Sequence, residues 1–270
     1  KRVAIEWLEA GLRVAVTTRS PERAIEFERA GFAPIVCDVT NSASLGQLPT
    51  AEVTLWAVGF DRTGSHSLRD VYVRGLEQAL NQPELQETHL IHISSTSVYG
   101  QTEGSIVDED SVCEPERENG QICLDAERVV MGRTGRSTIL RLAGIYGPQR
   151  LLARAQQLQN QEPLAGNPLA WLNLIHVTDA VRAVRAVERS SDCAPLYLVS
   201  DDEPVTREDY YRELANVLQA PEPLFAPDLP DRKGDRGLNK RCLNQRLKTE
   251  LLPVLQFPSM KTGLRDAVGR

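Results

Sequence analysis

Apolar and polar positions along the first part of the chain follow a repeating strand and helix pattern. Leu12 to Thr18, Phe32 to Val39 and Glu52 to Gly59 are short apolar runs, which is typical of buried strands. Apolar residues recur at helical spacing over Val3 to Ala10. A further helix is predicted from Ser20-Pro21-Glu22, where a serine cap precedes a proline at the first helical position. The pattern predicts alternating strands and helices from the start of the chain.

The alternation continues through the rest of the sequence. A helix with Leu68, Tyr72, Leu76 and Leu80 on one face is predicted before a strand that starts at Leu90. Later strands are predicted over Ser137 to Ala143, Asn173 to Val177 and Leu196 to Val199, and Thr206 is the predicted cap of a later helix. Fully apolar strands between helices indicate a parallel sheet that is covered on both faces. The predicted fold class is α/β, a doubly wound parallel sheet of the Rossmann type with a small C-terminal α/β lobe.

Composition excludes several classes of protein. The chain has 270 residues, 41% hydrophobic and 25% charged, which is ordinary for a globular protein. No apolar run approaches the roughly 20 residues of a membrane helix, so no membrane partner is expected. A formal net charge of −6 argues against a nucleic-acid partner. The five cysteines have no C-x-x-C spacing, so no disulfide framework and no metal site is expected, and the cytoplasm is the predicted location.

The segment from Leu90 to Gly100, LIHISSTSVYG, is the most informative part of the sequence. Its apolar run opens directly into a hydroxyl cluster, which places hydrogen-bond donors at the carboxyl edge of the sheet, where open α/β folds bind ligands. No lysine occurs between Lys1 and Lys233. This edge must therefore work without an ammonium group from its own half of the chain.

The first predicted element is a helix, whereas in a doubly wound nucleotide-binding fold a strand and a glycine-rich phosphate loop precede the first helix. Three explanations are open: the sequence is trimmed, its reading frame starts late, or the protein lacks the loop. We favour the first two, because without a central first strand the neighbouring strands would have unpaired edges inside a buried sheet.

Three segments together resemble the extended short-chain dehydrogenase/reductase family, the NAD(P)-dependent epimerase/dehydratase group. They are Ser94 to Gly100, Leu140 to Pro148 and Asn173 to Ala180, in the family's order and approximate spacing. The resemblance implies a dinucleotide-binding domain over residues 1–165, to which residues 171–200 return, and a mainly C-terminal substrate lobe over residues 201–270.

The resemblance also implies a catalytic group, and this chain departs from it. Ser95 matches the residue that hydrogen-bonds the substrate oxygen, but Asn119 and Cys123 stand at the positions of the family's Tyr and Lys. Neither can replace that pair, because an amide has no titratable proton near neutral pH and a thiol is no fixed positive charge. The sequence is most similar to an atypical subgroup of bacterial oxidoreductases that lack both residues. Tyr99, Tyr146 or a bound water are candidate replacements, although packing under the cofactor explains both tyrosines as well.

The resemblance further implies how the ligands are held, with NADP favoured over NAD. Arg19 follows the second strand of the family's fold, where an arginine accepts the 2′-phosphate of NADP. Asp38 stands where the family's Asp meets the adenine, although it equally suits the cap of a turn. The predicted cofactor-binding residues are Thr18, Arg19, Ser20, Asp38, Val39, Ala57, Val58, Gly59, Ser94, Leu142 and Ala143, and the predicted substrate residues are Thr96, Gly144, Trp171 and Asn173. Lys240, Arg241 and Arg246 suit either a substrate phosphate or a solvated surface.

Among the histidines, His176 is predicted to be structural rather than a general base, while His66 and His89 are predicted in loops. Two functions remain open. One is an NADP-dependent oxidoreductase or epimerase/dehydratase-like enzyme, acting on a small molecule with a non-standard proton relay. The other is a catalytically inactive NAD(P)-binding sensor or scaffold, since a fold survives the loss of its chemistry. A homodimer that pairs the helices containing Leu76 and Val130 is also predicted.

Overall fold

The computed structural model describes residues 1–229 and 239–269, and these fall into two compact units. The first unit consists of Lys1–Ser94, Arg117–Ile139 and Val187–Pro195. The second unit consists of Ser95–Glu116, Leu140–Ala186 and Leu196–Arg270.

The strands of the described chain are short, mostly of two to four residues. In chain order they are β1 Ala15–Thr18, β2 Ala33–Val36, β3 Val53–Trp56, β4 His89–Ser95, β5 Ser105–Val107, β6 Ser137–Leu142, β7 Gly144–Tyr146, β8 Leu164–Ala165, β9 Trp171–Leu172, β10 Leu174–His176, β11 Leu196–Val199, β12 Val205–Thr206, β13 Phe225–Ala226 and β14 Lys240–Cys242.

Helices separate most of these strands, as the sequence predicts. They are α1 Arg2–Glu9, α2 Pro21–Arg29, α3 Ser42–Leu45, α4 Gly75–Leu80, α5 Glu118–Met131, α6 Leu152–Gln159, α7 Val177–Arg189, α8 Arg207–Leu218, α9 Gln245–Glu250 and α10 Met260–Ala267. A π-helical turn, Asp70–Arg74, leads into α4, and 3₁₀ turns cover Pro83–Leu85 and Thr96–Val98. Within the described residues, no helix is both long enough and apolar enough to cross a bilayer.

Parallel strand pairing confirms the α/β class. β1 pairs with β2 from Ala15 opposite Ala33, and β3 pairs with β4 from Val53 opposite His89. The four-stranded sheet has the order β11-β6-β4-β3, so strands that are distant in sequence lie side by side. Parallel partners require crossover connections, which the intervening helices provide.

Local sequence signals place two helix starts. Ser20 caps α2 by accepting a hydrogen bond from the Arg23 amide at 3.1 Å, with Pro21 as the first helical residue. Thr206 caps α8 by accepting one from the Asp209 amide, also at 3.1 Å. Both predicted caps are confirmed.

The first two strands are shorter than predicted, because residues at one end of each predicted strand form turns instead. The Leu12 amide donates to the Trp7 carbonyl and closes the end of α1, so β1 begins only at Ala15. The Asp38 amide donates to the Ser44 hydroxyl at 3.1 Å, so β2 stops before it.

The predicted loop position of His89 is wrong. His89 is the first residue of β4 and only 5% exposed, with its Nε2 atom 3.0 Å from the Thr138 hydroxyl oxygen. Burial, together with the charges of Arg136 and Arg133, lowers the pKa of His89 to about 4, so the ring is neutral at physiological pH.

The predicted apolar face of the helix before β4 is interrupted by the π-helical turn. Leu76 and Leu80 are buried in α4, whereas Tyr72 inside the turn is only half-buried. A π-turn inserts an extra residue into the helical spacing, and such turns are frequent at functional sites. Periodicity alone does not detect it.

In the second unit, helices α6, α8 and α10 contribute to one apolar core. Its buried residues include Tyr146, Leu158, Leu164, Leu174, Tyr211, Leu214, Met260 and Leu264. At the edge of this unit, β14 pairs in parallel with β5, and β7 pairs in parallel with β10.

Asp201, which follows β11, is a buried carboxyl group in the second unit. It is 2% exposed, and neither carboxylate oxygen has a hydrogen-bond partner among the described residues. Burial, the largest cause, and the nearby charges of Asp202, Glu203 and Asp179 raise the pKa of Asp201 to about 8. Asp201 is therefore mainly protonated at neutral pH in the folded protein.

The raised pKa of Asp201 predicts a pH-dependent stability. The folded state binds this proton more tightly than the unfolded state, so the stabilisation is complete below the unfolded pKa near 4 and is lost as pH rises through about 8. Between these limits the free energy of unfolding falls by up to about 1.4 kcal/mol per pH unit. Asp201→Asn removes this contribution, which urea denaturation across the window measures.

The matched control for this prediction is Asp202→Asn. Asp202 is partly exposed and pairs with Lys248 at 2.7 Å. Its removal takes away one of the charges that raise the pKa of Asp201 but leaves burial, the largest cause, in place, so most of the pH dependence should remain. Equal slopes of stability against pH in the wild type and the Asp201 variant contradict the prediction.

Candidate functional site

The carboxyl end of β1 presents Thr18, Arg19 and Ser20 in the first unit. The Thr18 hydroxyl oxygen accepts a hydrogen bond from the Ser20 amide at 3.2 Å, which shapes the turn into α2. Arg19 has a side chain 52% exposed and pairs with Asp61 at 2.8 Å. An exposed ion pair of this kind is weak and exchanges readily. The Arg19 guanidinium is therefore accessible to an anionic ligand.

The predicted adenine-contacting Asp38 follows β2 and does cap a turn. One carboxylate oxygen accepts the Thr40 amide at 2.9 Å and the Thr40 hydroxyl at 2.7 Å. Burial alone would raise the pKa of Asp38, but the hydrogen bonds from Thr40 and the charge of Arg19 outweigh it and lower the pKa. The carboxylate is ionised at neutral pH, and its second oxygen takes no hydrogen bond from the described residues.

The residues that follow β3 leave open space. Ala57 and Gly59 are exposed, and a Cβ atom added at Gly59 would meet nothing within 4 Å. Gly75 in α4 lies directly against the turn after β2, since a Cβ atom there would stand 2.9 Å from Val39 Cγ2. Small exposed residues after β3 and an ionised carboxylate after β2 are each features that fit the adenosine half of a dinucleotide.

Ser94 near the end of β4 contacts the helix that carries the family's catalytic positions. Its hydroxyl donates to Glu127 Oε1 at 2.5 Å, and Glu127 is fully buried in α5. Asn119, Cys123 and Glu127 are spaced four residues apart and so share one face of α5. Asn119 is exposed and Cys123 is half-buried. The first unit thus places Ser94 against α5, the helix on which Asn119 and Cys123 lie.

Sequence reasoning did not single out Glu127 as a site residue. The only signal was a carboxylate on the apolar side of α5, beside Ala126, and a buried carboxylate needs a partner. The partner, Ser94, lies 33 positions away in the sequence, so local patterns do not reveal it.

In the second unit, Ser95 begins the 3₁₀ turn Thr96–Val98. Its oxygen accepts a hydrogen bond from the Ser97 amide at 3.1 Å, which leaves its own hydrogen free to donate. Ser95 is half-buried and Thr96 is 9% exposed. Ser95 therefore retains the donor that would polarise a carbonyl oxygen.

Tyr99 is enclosed in the second unit. Its hydroxyl donates to the Asp108 carbonyl at 2.6 Å and accepts from Arg141 at 2.8 Å, and the residue is 0% exposed. Burial raises the pKa of Tyr99 well above its usual value. Two committed hydrogen bonds and full burial favour the packing role for Tyr99 over a proton relay.

Tyr146 is enclosed as well. It is 1% exposed, its hydroxyl lies 3.3 Å from the Ser259 carbonyl oxygen, and its ring packs edge-on against His176. His176 is also fully buried, with its Nε2 atom 3.2 Å from Asp266. The surroundings of His176 agree with the predicted structural role.

The segment after β6 joins two pieces of backbone in the second unit. The Ala143 amide donates to the Val199 carbonyl, and the Gly144 amide donates to the Asn173 carbonyl, both at 2.9 Å. Leu142 and Ala143 are buried, whereas Gly144 is exposed. Of these three predicted site residues, only Gly144 presents its backbone to solvent.

The predicted substrate residue Asn173 holds a strand. Its side-chain amide donates to the Lys240 carbonyl at 2.9 Å and its oxygen accepts the Cys242 amide at 2.7 Å, which fixes β14. Trp171 is half-buried, and the Arg241 guanidinium lies 5.3 Å from the centre of its ring.

The three basic residues considered for a substrate phosphate are all engaged. Lys240 is 5% exposed and donates to the Tyr99 carbonyl at 3.0 Å, so it is not a solvated surface charge. Arg241 donates to the Gly104 carbonyl at 2.9 Å, and Arg246 pairs with Asp110 at 2.7 Å. A proline-rich segment of the C-terminal lobe, Pro221 to Pro230, lies within the described residues only up to Leu229.

Sequence comparison supports the resemblance. The model of the NAD dependent epimerase/dehydratase family matches residues 1–195. Protein YeeZ from Escherichia coli strain K12 is 26% identical over 226 residues, which cover 83% of this chain and 77% of YeeZ.

Two solved structures share the fold. A conserved protein of unknown function from Silicibacter pomeroyi has a TM-score of 0.78 at 25% identity, covering 99% of this chain and 94% of that protein. MoeE5 in complex with UDP-glucuronic acid and NAD has a TM-score of 0.78 at 17% identity, covering 99% of this chain and 93% of MoeE5. The second likeness is one of fold alone.

Replacing Tyr99 by Phe tests its packing role. Losing the hydroxyl leaves the Asp108 carbonyl without this donor, so Tyr99→Phe is expected to lower the free energy of unfolding by about 1–3 kcal/mol. Chemical denaturation measures the loss. Tyr146→Phe, which removes a longer hydrogen bond of 3.3 Å, is the control and should lose less. An unchanged stability of Tyr99→Phe would contradict a structural hydroxyl.

Proposed function

Because the chain belongs to the NAD-dependent epimerase/dehydratase family, we propose that it is an NAD(P)-dependent oxidoreductase or epimerase/dehydratase-like enzyme acting on a carbonyl or sugar-nucleotide-type small molecule. The observation that carries this proposal is the open strand end of the first unit, where exposed Ala57 and Gly59 follow β3. MoeE5, which is alike in fold, binds UDP-glucuronic acid and NAD, and this supports the substrate class.

In this proposal the first unit holds the dinucleotide. Arg19 binds the phosphate, Asp38 and Val39 border the adenine, and residues 57–59 allow close backbone approach. Thr18, Ser20 and Ser94 are the other proposed dinucleotide-binding residues of the first unit. Leu142 and Ala143 of the second unit are further predicted contacts. A bound nicotinamide supplies or accepts the hydride, so the protein must mainly orient it and handle one proton.

The substrate carbonyl is proposed to meet Ser95. The Ser97 amide already donates to the Ser95 oxygen at 3.1 Å, which leaves the hydroxyl hydrogen for the substrate. A donor aimed at the oxygen on which charge develops stabilises the transition state. Thr96, Gly144, Trp171 and Asn173 remain predicted substrate residues, the last of them through its backbone, because its side chain holds β14.

A second function, a cofactor-binding sensor or scaffold without turnover, is favoured by Asn119 and Cys123, which cannot form the family's Tyr and Lys pair. The cytoplasm is the proposed location for either function, since none of the five cysteines forms a disulfide in the described residues.

A homodimer remains part of the proposal. Leu76 and Val130 are buried in the first unit, so such a dimer would use the other faces of α4 and α5, where Glu77 and Arg128 are exposed.

Replacing Arg19 by Ala tests the preference for NADP. Loss of a charged hydrogen bond to the 2′-phosphate costs about 1.5–3 kcal/mol, so NADPH affinity is expected to fall about tenfold or more while NADH affinity stays within about twofold. Calorimetric titration measures both. Arg29→Ala removes the same charge from the far end of α2 and is the control. An equal loss for both dinucleotides refutes the assignment.

Replacing Ser95 by Ala separates enzyme from sensor. Full-length protein is titrated with each dinucleotide and assayed for hydride exchange with a panel of carbonyl compounds and sugar nucleotides. We expect turnover that falls about 100-fold or more in Ser95→Ala, with dinucleotide affinity retained. Tight binding without turnover of any substrate supports the sensor. Absence of dinucleotide binding excludes both functions.

A further inference from the structure

The π-helical turn Asp70–Arg74 packs against α5 in the first unit. Arg69, directly before the turn, pairs with Asp125 of α5 at 2.6 Å. Asp125 also accepts hydrogen bonds from Gln121 and Arg128 at 2.8 Å, so the carboxylate is held in place by α5 itself. This network fixes the π-helical turn beside the part of α5 that carries Cys123.

Tyr72 lies in the middle of that turn. Cys123, the backbone of Phe60 and Arg62 are near enough to its hydroxyl to influence the pKa of Tyr72. Cys123 stands where the family has its lysine, and Phe60 follows the open residues 57–59 after β3. The phenol of Tyr72 therefore lies in the part of the first unit near Cys123, where the family has its catalytic lysine.

Tyr72 differs from the other tyrosines in its exposure. The sequence contains six tyrosines, and five of them, Tyr99, Tyr146, Tyr197, Tyr210 and Tyr211, are no more than 6% exposed. Tyr72 is half-buried, so it alone can reach a ligand. The helical turn that carries it is also of the rare π type, which is enriched at functional sites.

We propose that Tyr72 is the proton donor of the site and supplies, from the π-helical turn, the phenol that α5 lacks at Asn119. This inference rests on the proposed enzymatic function and names its missing proton relay. Cys123 stands at the position of the family's lysine but carries no positive charge. In its place, the backbone amide of Phe60 and the guanidinium of Arg62 stabilise the tyrosinate that forms on proton transfer.

The chemistry of Tyr72 suits donation rather than abstraction. Burial and the neighbouring Cys123 raise the pKa of Tyr72, while the Phe60 amide and Arg62 lower it in part, so the phenol is protonated at neutral pH. In the reductive direction, a bound reduced nicotinamide would supply the hydride to the carbonyl carbon. The electron pair of the C=O π bond moves to oxygen, which takes the proton from Tyr72 Oη. The tyrosinate then regains a proton from water.

The variant Tyr72→Phe tests this role in the full-length protein. We expect turnover to fall about 100-fold or more, as for loss of a general acid, with dinucleotide affinity unchanged. Tyr99→Phe is the matched control, because it removes a phenolic hydroxyl that is committed to the Asp108 carbonyl and should keep turnover once folded. Turnover of Tyr72→Phe within about threefold of wild type, with Ser95→Ala still impaired, overturns the inference and leaves the proposed function standing.

A second measurement needs neither activity nor a variant. Alkylation of the five free thiols is followed by mass spectrometry with and without NADPH or NADH. If Tyr72 and Cys123 border the bound dinucleotide, alkylation of Cys123 slows at least about fivefold on binding, whereas Cys193 of the same unit reacts as before. Dinucleotide binding without protection of Cys123 places Tyr72 outside the site and overturns the inference. Binding without any turnover overturns both the inference and the enzymatic function.

Discussion

The parallel pairing of β3 with β4 is the constraint on which the first half of the site depends. Val53 lies opposite His89 and Trp56 opposite His92, so both strands run in the same direction and end at the same edge. β4 is buried along most of its length, so a shift of one residue in its register would move each buried side chain out of its place in the core. The register therefore fixes where the residues after β3 and the serines at the end of β4 lie.

Local chemistry in the sequence was enough to predict much of this fold. Ser20 and Thr206 form hydrogen bonds within three residues, so their caps are visible from sequence, and an unbroken apolar run identified β11. Strand ends were less predictable, because Leu12 and Asp38 form hydrogen bonds with residues outside their own strands.

Contacts between distant segments explain what the sequence could not predict about the site. The hydrogen bond between Ser94 and Glu127, the hold of Asn173 on β14 and the place of Tyr72 beside Cys123 each join residues more than 30 positions apart. Periodicity placed Tyr72 on an apolar face because it assumes a regular helix. The π-helical turn changes the angle between successive side chains and leaves Tyr72 half-buried.

The contact of Gly75 with Val39 sets how closely α4 approaches the turn after β2. A Cβ atom at position 75 would stand 2.9 Å from Val39 Cγ2 and 3.1 Å from the Val39 carbonyl oxygen, so both the side chain and the backbone of Val39 lie directly against the helix. The contact with the carbonyl oxygen cannot be relieved by a change of rotamer, whereas a contact with a side chain can. Any residue larger than glycine at position 75 would therefore have to displace the backbone of the turn after β2.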